Sequence, residues 1–220
     1  KMLVLPPGTL LQLMYLQERL RRTPSGRFIE IGPGSGEITR LLLDFGWSGS
    51  SYDIEEKTIR ALRKRFAKEI AEQRFIPINC DFISSLPATE KVDMVISCMV
   101  MEHLKEGDQR AYMQTSAEYL KSNGVMIGLV PSSPAHWGIE DDIAGHCRRY
   151  TRAGIEALAT DNGWELLHIA GLTCPTSNLL LPISNFLVNR SERSKLALST
   201  LDRTKLAGRR QVKFKTYFPA

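Results

Sequence analysis

Three glycines stand at every second position in the stretch FIEIGPGSGEIT, which covers residues 28–39. A glycine turn after an apolar run brings backbone close to a nucleotide-like ligand, because no side chain stands in the way. Counted from Gly32, the third glycine of the dinucleotide motif G-x-G-x-x-G is replaced by Glu37. Counted from Gly34, it is replaced by Thr39. A carboxylate at the start of the next helix would also repel a pyrophosphate, so the pattern predicts a nucleoside-like ligand that is not rich in phosphate.

An acidic residue lies in or directly after each of the first three apolar segments, FIEIG, SGSSYDI and RFIPINCD. These acids suit S-adenosylmethionine as the ligand, since it has an adenosine, a sulfonium and an amino-acid end but no phosphate. Glu30 can attract the ligand's ammonium group, directly or through water. Asp53 closes the second run, where it can accept from both ribose hydroxyls or cap the following helix. Asp81 follows the third run and can accept from the adenine amino group, although an ordinary loop role fits it nearly as well. Phe82 and Ile54 would close on the ring faces.

Apolar runs alternate with helical patterns along the chain, and these elements must position the glycines and the acids. The alternation predicts an α/β fold with a parallel, doubly wound sheet that binds its ligand at the carboxyl ends of the strands. The predicted strands are FIEIG, SGSSYDI, RFIPINCD, VDMVISCMV, GVMIGLVPSS and a sixth in WELLHIAGL, with a last antiparallel strand in QVKFKTYF. The predicted helices cover residues 37–45, 55–73 and 108–120, with a break at Asn123-Gly124, and the stretch RAGIEALATDNG.

The ordered set of motifs resembles the class I S-adenosylmethionine-dependent methyltransferases. ExGxGxG follows the first strand, an acid the second and CD the third, and VDMVISCMVMEHL lies at the fourth, within residues 28–131. The resemblance implies a Rossmann-like, seven-stranded, mostly parallel sheet with its last strand antiparallel and a small helical insert. It also implies S-adenosyl-L-methionine as cofactor and S-adenosyl-L-homocysteine as product. The expected cofactor-binding residues are Glu30, Gly32, Pro33, Gly34, Ser35, Gly36, Asp53, Ile54, Asp81, Phe82, Cys98, Met99 and His103, of which Met99 suits packing better than chemistry.

The segment HWGIEDDIAGHCRRYT resembles a D-x-x-x-G-H-x-R-R-Y pattern of a bacterial subset of this family, often associated with sugar, lipid-linked or secondary-metabolite methylation. His146 is the preferred base, because an imidazole takes a proton near neutral pH. Arg149 can bind an acidic acceptor or pair with Asp141 or Asp142. The histidines and carboxylates match no compact metal-binding spacing, so no metal is expected. The expected catalytic residues are His146, His136, Tyr150 and Arg149.

Charge and cysteine usage indicate possible partners and the cellular location of the protein. The net charge is +5, and residues 186–220 carry nine Lys or Arg against two acids. This basic segment is either solvated or contacts an acidic acceptor, a phosphate or an anionic membrane surface. The four cysteines form no CxxC pair and suit free thiols in the cytoplasm. No run approaches the roughly 20 apolar residues of a membrane span, and no secretory signal is recognised.

The expected function is therefore methyl transfer to an oxygen, with nitrogen as the second choice, of a small or lipid- or sugar-linked molecule. Nucleic acid is disfavoured as acceptor, because the residues after the fourth strand lack the [DN]-P-P-[FYW] typical of base-amine methylation. A protein methyltransferase and a non-catalytic scaffold remain open alternatives. The expected layout is a single domain over residues 1–220, with a cofactor-binding core at 26–134 and acceptor-side lid segments at 135–152 and 174–210.

Overall fold

The computed structural model describes residues 7–85 and 90–172 of the chain. Its five strands form one sheet in the order β3-β2-β1-β4-β5, and all four neighbouring pairs are parallel. The order reverses between β1 and β4, which creates a topological switch point at their carboxyl ends. The strands are β1 (Arg27–Ile31), β2 (Ser48–Asp53), β3 (Phe75–Asn79), β4 (Val92–Cys98) and β5 (Leu120–Leu129).

Helices connect the strands and cover the sheet. The α-helices are α1 (Pro7–Leu20), α2 (Glu37–Asp44), α3 (Glu56–Arg65), α4 (Ala67–Ala71), α5 (Glu106–Tyr119), α6 (Ile139–Ala144) and α7 (Arg152–Asp161), and short 3₁₀ turns span Met101–His103 and Pro134–His136. Within the described ranges, no helix has the length and apolar character needed to cross a membrane.

Each face of the sheet is covered by its own hydrophobic core, because successive residues of a strand point to opposite sides. Phe28 and Met94 belong to the core that α1, α2 and α3 complete. Ile29 and Val95 belong to the opposite core, to which α5 contributes most of the helical side chains. Burying one large apolar side chain in such a core stabilises the fold by about 1.5–3 kcal/mol. The doubly wound α/β prediction is confirmed by this arrangement.

Three predicted elements differ from the structure. The helix expected over residues 55–73 is broken at Phe66, whose φ of −112° and ψ of 28° separate α3 from α4. The break expected at Asn123-Gly124 lies inside β5, and a register irregularity against β4 accommodates the extra residues. Residues 164–171 form no assigned strand, so the sixth strand is not found there. The antiparallel last strand and the lid segment 174–210 lie outside the described residues.

Helices α2 and α3 approach so closely at Gly36 that no side chain fits there. Gly36 has a φ of 83°, which L-residues rarely adopt, and its N–H donates to the Pro33 carbonyl at 2.8 Å. A β-carbon on Gly36 would lie 2.7 Å from Cε2 of Phe66 and 2.8 Å from Cδ2 of Leu62. Both neighbours are buried core residues. Backbone conformation and lack of space therefore both require glycine.

We expect Gly36→Ala to lower the free energy of unfolding by about 2 kcal/mol, because it adds a strained φ and an overpacked methyl group. Urea denaturation measures this loss. Gly107→Ala in the first turn of α5 is the matched control, since a β-carbon there meets nothing within 4 Å. Alanine also forms helix better than glycine, so the control should be as stable as the wild type or more so. Equal stability of Gly36→Ala and wild type would contradict the close packing.

Candidate functional site

The glycine loop, residues 32–36, lies at the carboxyl end of β1, beside the switch point. Gly32, Gly34 and Gly36 have φ values of 67°, 52° and 83°, all in the left-handed region. A β-carbon on Gly32 would lie 2.6 Å from Cγ2 of Val100, so the loop packs directly on the segment that follows β4. Pro33 is buried and the side chain of Ser35 is exposed. At the carboxyl ends of the strands, called the open edge of the sheet here, the loop therefore presents mainly backbone, as close approach by a ligand requires.

Arg65 of α3 contacts the glycine loop, and this residue was not among those predicted from the sequence. Its guanidinium donates to the Ser35 carbonyl and to both carboxylate oxygens of Glu37, at 2.7 and 3.2 Å. The ion pair neutralises the carboxylate at the start of α2. No local pattern could reveal this contact, because the partners lie on different helices.

The end of β2 places Asp53 and Ile54 beside the glycine loop. Asp53 is half-buried, and its Oδ1 accepts the Glu55 N–H at 2.7 Å. Because Glu55 is the N-cap of α3, Asp53 closes the turn before the helix and does not cap the helix itself. Ile54 is 58% exposed, which is high for a large aliphatic side chain. A carboxylate and an open apolar surface at adjacent positions suit a ribose and the face of a base.

Of the two candidate residues after β3, Asp81 lies at the surface and Phe82 lies in the hydrophobic core. Asp81 is exposed, and its carboxylate accepts the Ile83 N–H at 3.1 Å and the Ser84 hydroxyl at 3.3 Å. Phe82 is 3% exposed and packs against Tyr52 and Tyr119. Phe82 thus lies in the hydrophobic core, and the expectation that it closes on an adenine ring does not fit this placement.

At the end of β4 lie Met99, which has a left-handed backbone, and the half-buried Cys98. Met99 has a φ of 56°, is 39% exposed, and its N–H donates to the Leu129 carbonyl at 2.8 Å. Left-handed non-glycine residues are uncommon and concentrate at functional sites. Burial raises the pKa of the Cys98 thiol to about 12, with Glu102 and Glu30 adding to the shift, so the thiol stays neutral.

Glu30 lies beneath the glycine loop and not in it. Its side chain is 2% exposed and accepts hydrogen bonds from the Thr39 hydroxyl and, at 2.8 Å, from the Ser51 hydroxyl. Burial raises the pKa of this carboxyl to about 7, although both hydroxyls oppose the shift. In this position Glu30 ties β1 to β2 and α2, and its attraction for a ligand's ammonium group, directly or through water, stays a prediction.

A buried carboxylate, Asp141 in α6, organises the segment after β5. Asp141 accepts from the Gly138 N–H, from Nδ1 of His146 and from Nε of Arg149, each at 2.8 Å. Burial opposes ionisation, yet hydrogen bonds from His146, Arg149 and the Gly138 N–H lower the pKa of Asp141 to about 2. An ionised carboxylate only accepts, so the Nδ1 of His146 must carry a proton. Of the two roles expected for Arg149, pairing with Asp141 is the one the structure contains.

His146 meets the 3₁₀ turn that follows β4, and the three residues Glu102, His103 and His146 are called the His–Glu cluster below. The rings of His103 and His146 are 4.9 Å apart, and Nε2 of His146 lies 3.8 Å from Oε1 of Glu102. Burial raises the pKa of Glu102 to about 7 and lowers the pKa of His103 to about 4, with a further lowering by His146. Glu102 was missed in the sequence, where only its neighbour His103 stood out.

Two further candidates, Tyr150 and His136, are not members of this cluster. The hydroxyl of Tyr150 is buried, donates to the Met101 carbonyl at 3.0 Å and accepts from Gln109. Burial raises the pKa of Tyr150 well above its usual range, so it stays protonated and holds the turn. His136 belongs to the 3₁₀ turn at Pro134–His136, with Nδ1 2.6 Å from the Ser133 hydroxyl.

Residues 10–169 match a family model described as a methyltransferase domain. The ribosomal RNA small subunit methyltransferase A of Methylococcus capsulatus is 43% identical over 44 residues, which is 20% of this chain and 17% of that protein. The solved glycopeptide N-methyltransferase MtfA complexed with (S)-adenosyl-L-methionine aligns with 56% of this chain and 52% of its own, at 24% identity and a TM-score of 0.50. The pyocyanin biosynthetic protein PhzM aligns with 74% of this chain and 52% of its own, at 18% identity and a TM-score of 0.60.

At these identities the solved structures show a shared fold. This chain spans 52% of the length of each of the two.

Replacing Glu30 with Gln should remove a pH-dependent cost of folding. The carboxyl pKa rises from 4.5 to about 7 on burial, so the free energy of unfolding of the wild type should fall as pH rises through that interval. At about 1.4 kcal/mol per pKa unit, Glu30 contributes about 3 kcal/mol to this fall. Urea denaturation at about pH 5 and about pH 8 measures it.

We expect Glu30→Gln to lose less stability over that interval than the wild type. The control is Glu118→Gln, at an exposed position on α5, and it should keep the wild-type pH dependence. A pH dependence of Glu30→Gln equal to that of the wild type would show that Glu30 titrates as it does in the unfolded chain.

Proposed function

Because the chain belongs to the methyltransferase-domain family, we propose that it transfers a methyl group from S-adenosyl-L-methionine to an acceptor and releases S-adenosyl-L-homocysteine. The observation that carries the proposal is the glycine loop, whose three left-handed glycines expose backbone at the switch point of the sheet. MtfA, which shares the fold, has been solved with the same cofactor, with its demethylated product and with sinefungin.

The residues at the strand ends fit this cofactor. The glycine loop would take the amino-acid end, Asp53 the ribose hydroxyls, and the exposed Ile54 and Met99 the apolar parts of the ligand. When bound, S-adenosylmethionine supplies a methyl group attached to a sulfonium, and the bond between sulfur and the methyl carbon breaks with its electron pair going to sulfur. The protein must hold the acceptor atom in line with that bond, and such positioning is worth roughly 7–11 kcal/mol.

His146 is the residue proposed to handle the acceptor proton. Asp141 fixes the proton on Nδ1, which leaves a lone pair on Nε2, the nitrogen on the side of Glu102. A hydroxyl acceptor would give its proton to Nε2 as its oxygen takes the methyl group. Arg149 and Asp141 would keep the ring oriented, as in other pairs of a base and an orienting carboxylate. His136 and Tyr150 are the remaining proposed contacts on the acceptor side.

The proposed acceptor is a small or a lipid- or sugar-linked molecule, methylated at oxygen with nitrogen as the second choice. MtfA is a glycopeptide N-methyltransferase and PhzM a pyocyanin biosynthetic protein, which supports a non-polymeric acceptor and keeps nitrogen open. The three cysteines among the described residues are free thiols, which agrees with the proposed cytoplasmic location.

The test uses methyl-labelled S-adenosylmethionine, the purified protein and an extract of its source cells, with products separated by class. Label in the small-molecule or lipid fraction is expected. Label that is sensitive to protease would instead assign a protein acceptor. Label that is sensitive to nuclease would assign a nucleic acid, in line with the short match to a ribosomal RNA methyltransferase. Absence of label, with cofactor binding demonstrated separately, would favour a binding scaffold.

Asp53→Ala should weaken the affinity for S-adenosylmethionine by about 10–100-fold, because hydrogen bonds to a charged acceptor are worth about 1.5–3 kcal/mol. Isothermal titration calorimetry measures the change. Asp53→Asn keeps an acceptor for the Glu55 N–H and so separates loss of the turn from loss of the charge. Asp161→Ala, on the exposed end of α7, is the control. Unchanged affinity of Asp53→Ala would remove Asp53 from the cofactor site.

His146→Ala should lower the turnover number by about 10²–10⁴-fold while leaving the affinity for S-adenosylmethionine unchanged, because proton removal is lost and the cofactor loop is not. Initial rates with the acceptor identified above measure the change. The control is His168→Ala, since His168 stacks on Tyr15 of α1 and lies outside the site. Full activity of His146→Ala would remove this residue from the chemistry.

A further inference from the structure

The His–Glu cluster contains a buried carboxylate that the fold leaves unsatisfied. Glu102 is 0% exposed, and neither of its carboxylate oxygens has a hydrogen-bond partner in the described part of the chain. Burying a polar group without a partner is costly, and such groups in native proteins call for an explanation. Nε2 of His146 lies 3.8 Å from Oε1 of Glu102, which is beyond hydrogen-bond distance.

The three side chains of the cluster converge on one small volume. One potential ligand atom from each of Glu102, His103 and His146 lies within 4.8 Å of the other two. Zinc binds nitrogen and oxygen ligands at about 2.0–2.2 Å in tetrahedral geometry, so ligand atoms around a common ion are roughly 3.4 Å apart. Small movements of these three side chains would bring their ligand atoms to that separation. Two imidazoles and one carboxylate are also a known ligand set of catalytic zinc sites.

Both imidazoles are already oriented by their other nitrogen. Nδ1 of His146 donates to Asp141 at 2.8 Å, and Nδ1 of His103 donates to the Gly145 carbonyl at 3.2 Å. Metal-binding histidines are held in this way, by a carboxylate or a backbone carbonyl on the nitrogen that does not bind the ion. The arrangement turns the Nε2 atom of His146 toward Glu102.

Backbone hydrogen bonds fix the two segments that supply the cluster. The Cys147 N–H donates to the Glu102 carbonyl at 2.7 Å, and the His146 N–H donates to the Asp141 carbonyl at 2.9 Å. The 3₁₀ turn after β4 and the end of α6 are therefore joined before any ion arrives. Preformed ligand geometry of this kind lowers the cost of binding.

We propose that Glu102, His103 and His146 bind one divalent transition-metal ion of the class of Zn²⁺ and Co²⁺, with an open position for an acceptor oxygen. Imidazole ligands favour these ions over Mg²⁺ and Ca²⁺, which prefer oxygen. A metal site was not expected from residue spacing, because Glu102 and His146 are brought together only by the fold. Binding of the ion does not depend on the proposed function. A catalytic role of the ion rests on the proposed function.

In that role the ion would lower the pKa of a coordinated hydroxyl, which would release its proton to water. His146 would then act as a ligand of the ion and not as a free base. Loss of turnover in His146→Ala is expected in both cases, so only metal dependence separates them.

The test is a titration of chelator-treated, desalted protein with Co²⁺, followed by visible absorption. We expect d–d bands that saturate at one ion per chain and disappear on addition of Zn²⁺. Glu102→Gln, His103→Gln and His146→Gln should each weaken Co²⁺ binding at least tenfold. His168→Gln and Glu156→Gln are the matched controls, because both residues are outside the cluster, and they should bind Co²⁺ as the wild type does.

Thermal unfolding distinguishes a ligand from a merely structural residue. In chelator, Glu102→Gln should melt at the wild-type temperature or above it, because the substitution removes a buried carboxylate without a partner. Zn²⁺ should raise the melting temperature of the wild type and leave that of Glu102→Gln unchanged. Co²⁺ binding of wild-type strength in Glu102→Gln would overturn the proposal, and so would an absence of saturable binding in the wild type. A thiolate-to-cobalt charge-transfer band that is lost in Cys147→Ser would overturn it too.

Cofactor affinity and label transfer, measured on the same preparations, keep the two proposals separate. Co²⁺ binding without methyl transfer to any fraction would leave the metal site standing and count against the proposed function. Methyl transfer that is insensitive to chelator, in protein that binds no Co²⁺, would overturn the metal site and leave the proposed function standing.

Discussion

The carboxylate of Asp141 is the constraint on which the acceptor side of the structure depends. It is fully buried, and its two oxygens accept from three donors, one at the N-cap of α6 and two in the segment after the helix. The same group therefore begins a helix, sets the tautomer of His146 and neutralises Arg149. These partners hold the Asp141 carboxylate in its ionised form. Removing Arg149 would therefore leave a buried negative charge without its cationic partner.

The five residues after β4 connect the glycine loop with the His–Glu cluster. Met99 adopts a left-handed backbone conformation, Val100 packs against Gly32, and Glu102 meets His146 in the His–Glu cluster. A turn of this length leaves little freedom between the glycine loop and the imidazole. Methyl transfer depends on alignment of donor and acceptor, so a short and well-packed connection is a direct way to preserve it.

The features that were predictable from the sequence are local. The glycine loop and the alternation of strands and helices depend on residue types at short spacing, and both are present as expected. The break at Phe66 and the position of Phe82 depend on packing against other elements, which outweighs the local pattern. The meeting of Glu102 with His146 depends on the 3₁₀ turn after β4 and on the end of α6, so residue spacing alone carried no sign of it.

The alternation along β4 has a consequence for insertions and deletions. Met94 and Ile96 serve one core, and Val95 between them serves the other. Adding or removing one residue here would exchange the two faces of the strand and also move Val100 away from Gly32. Among relatives, this region should therefore tolerate changes of residue type far more readily than changes of length.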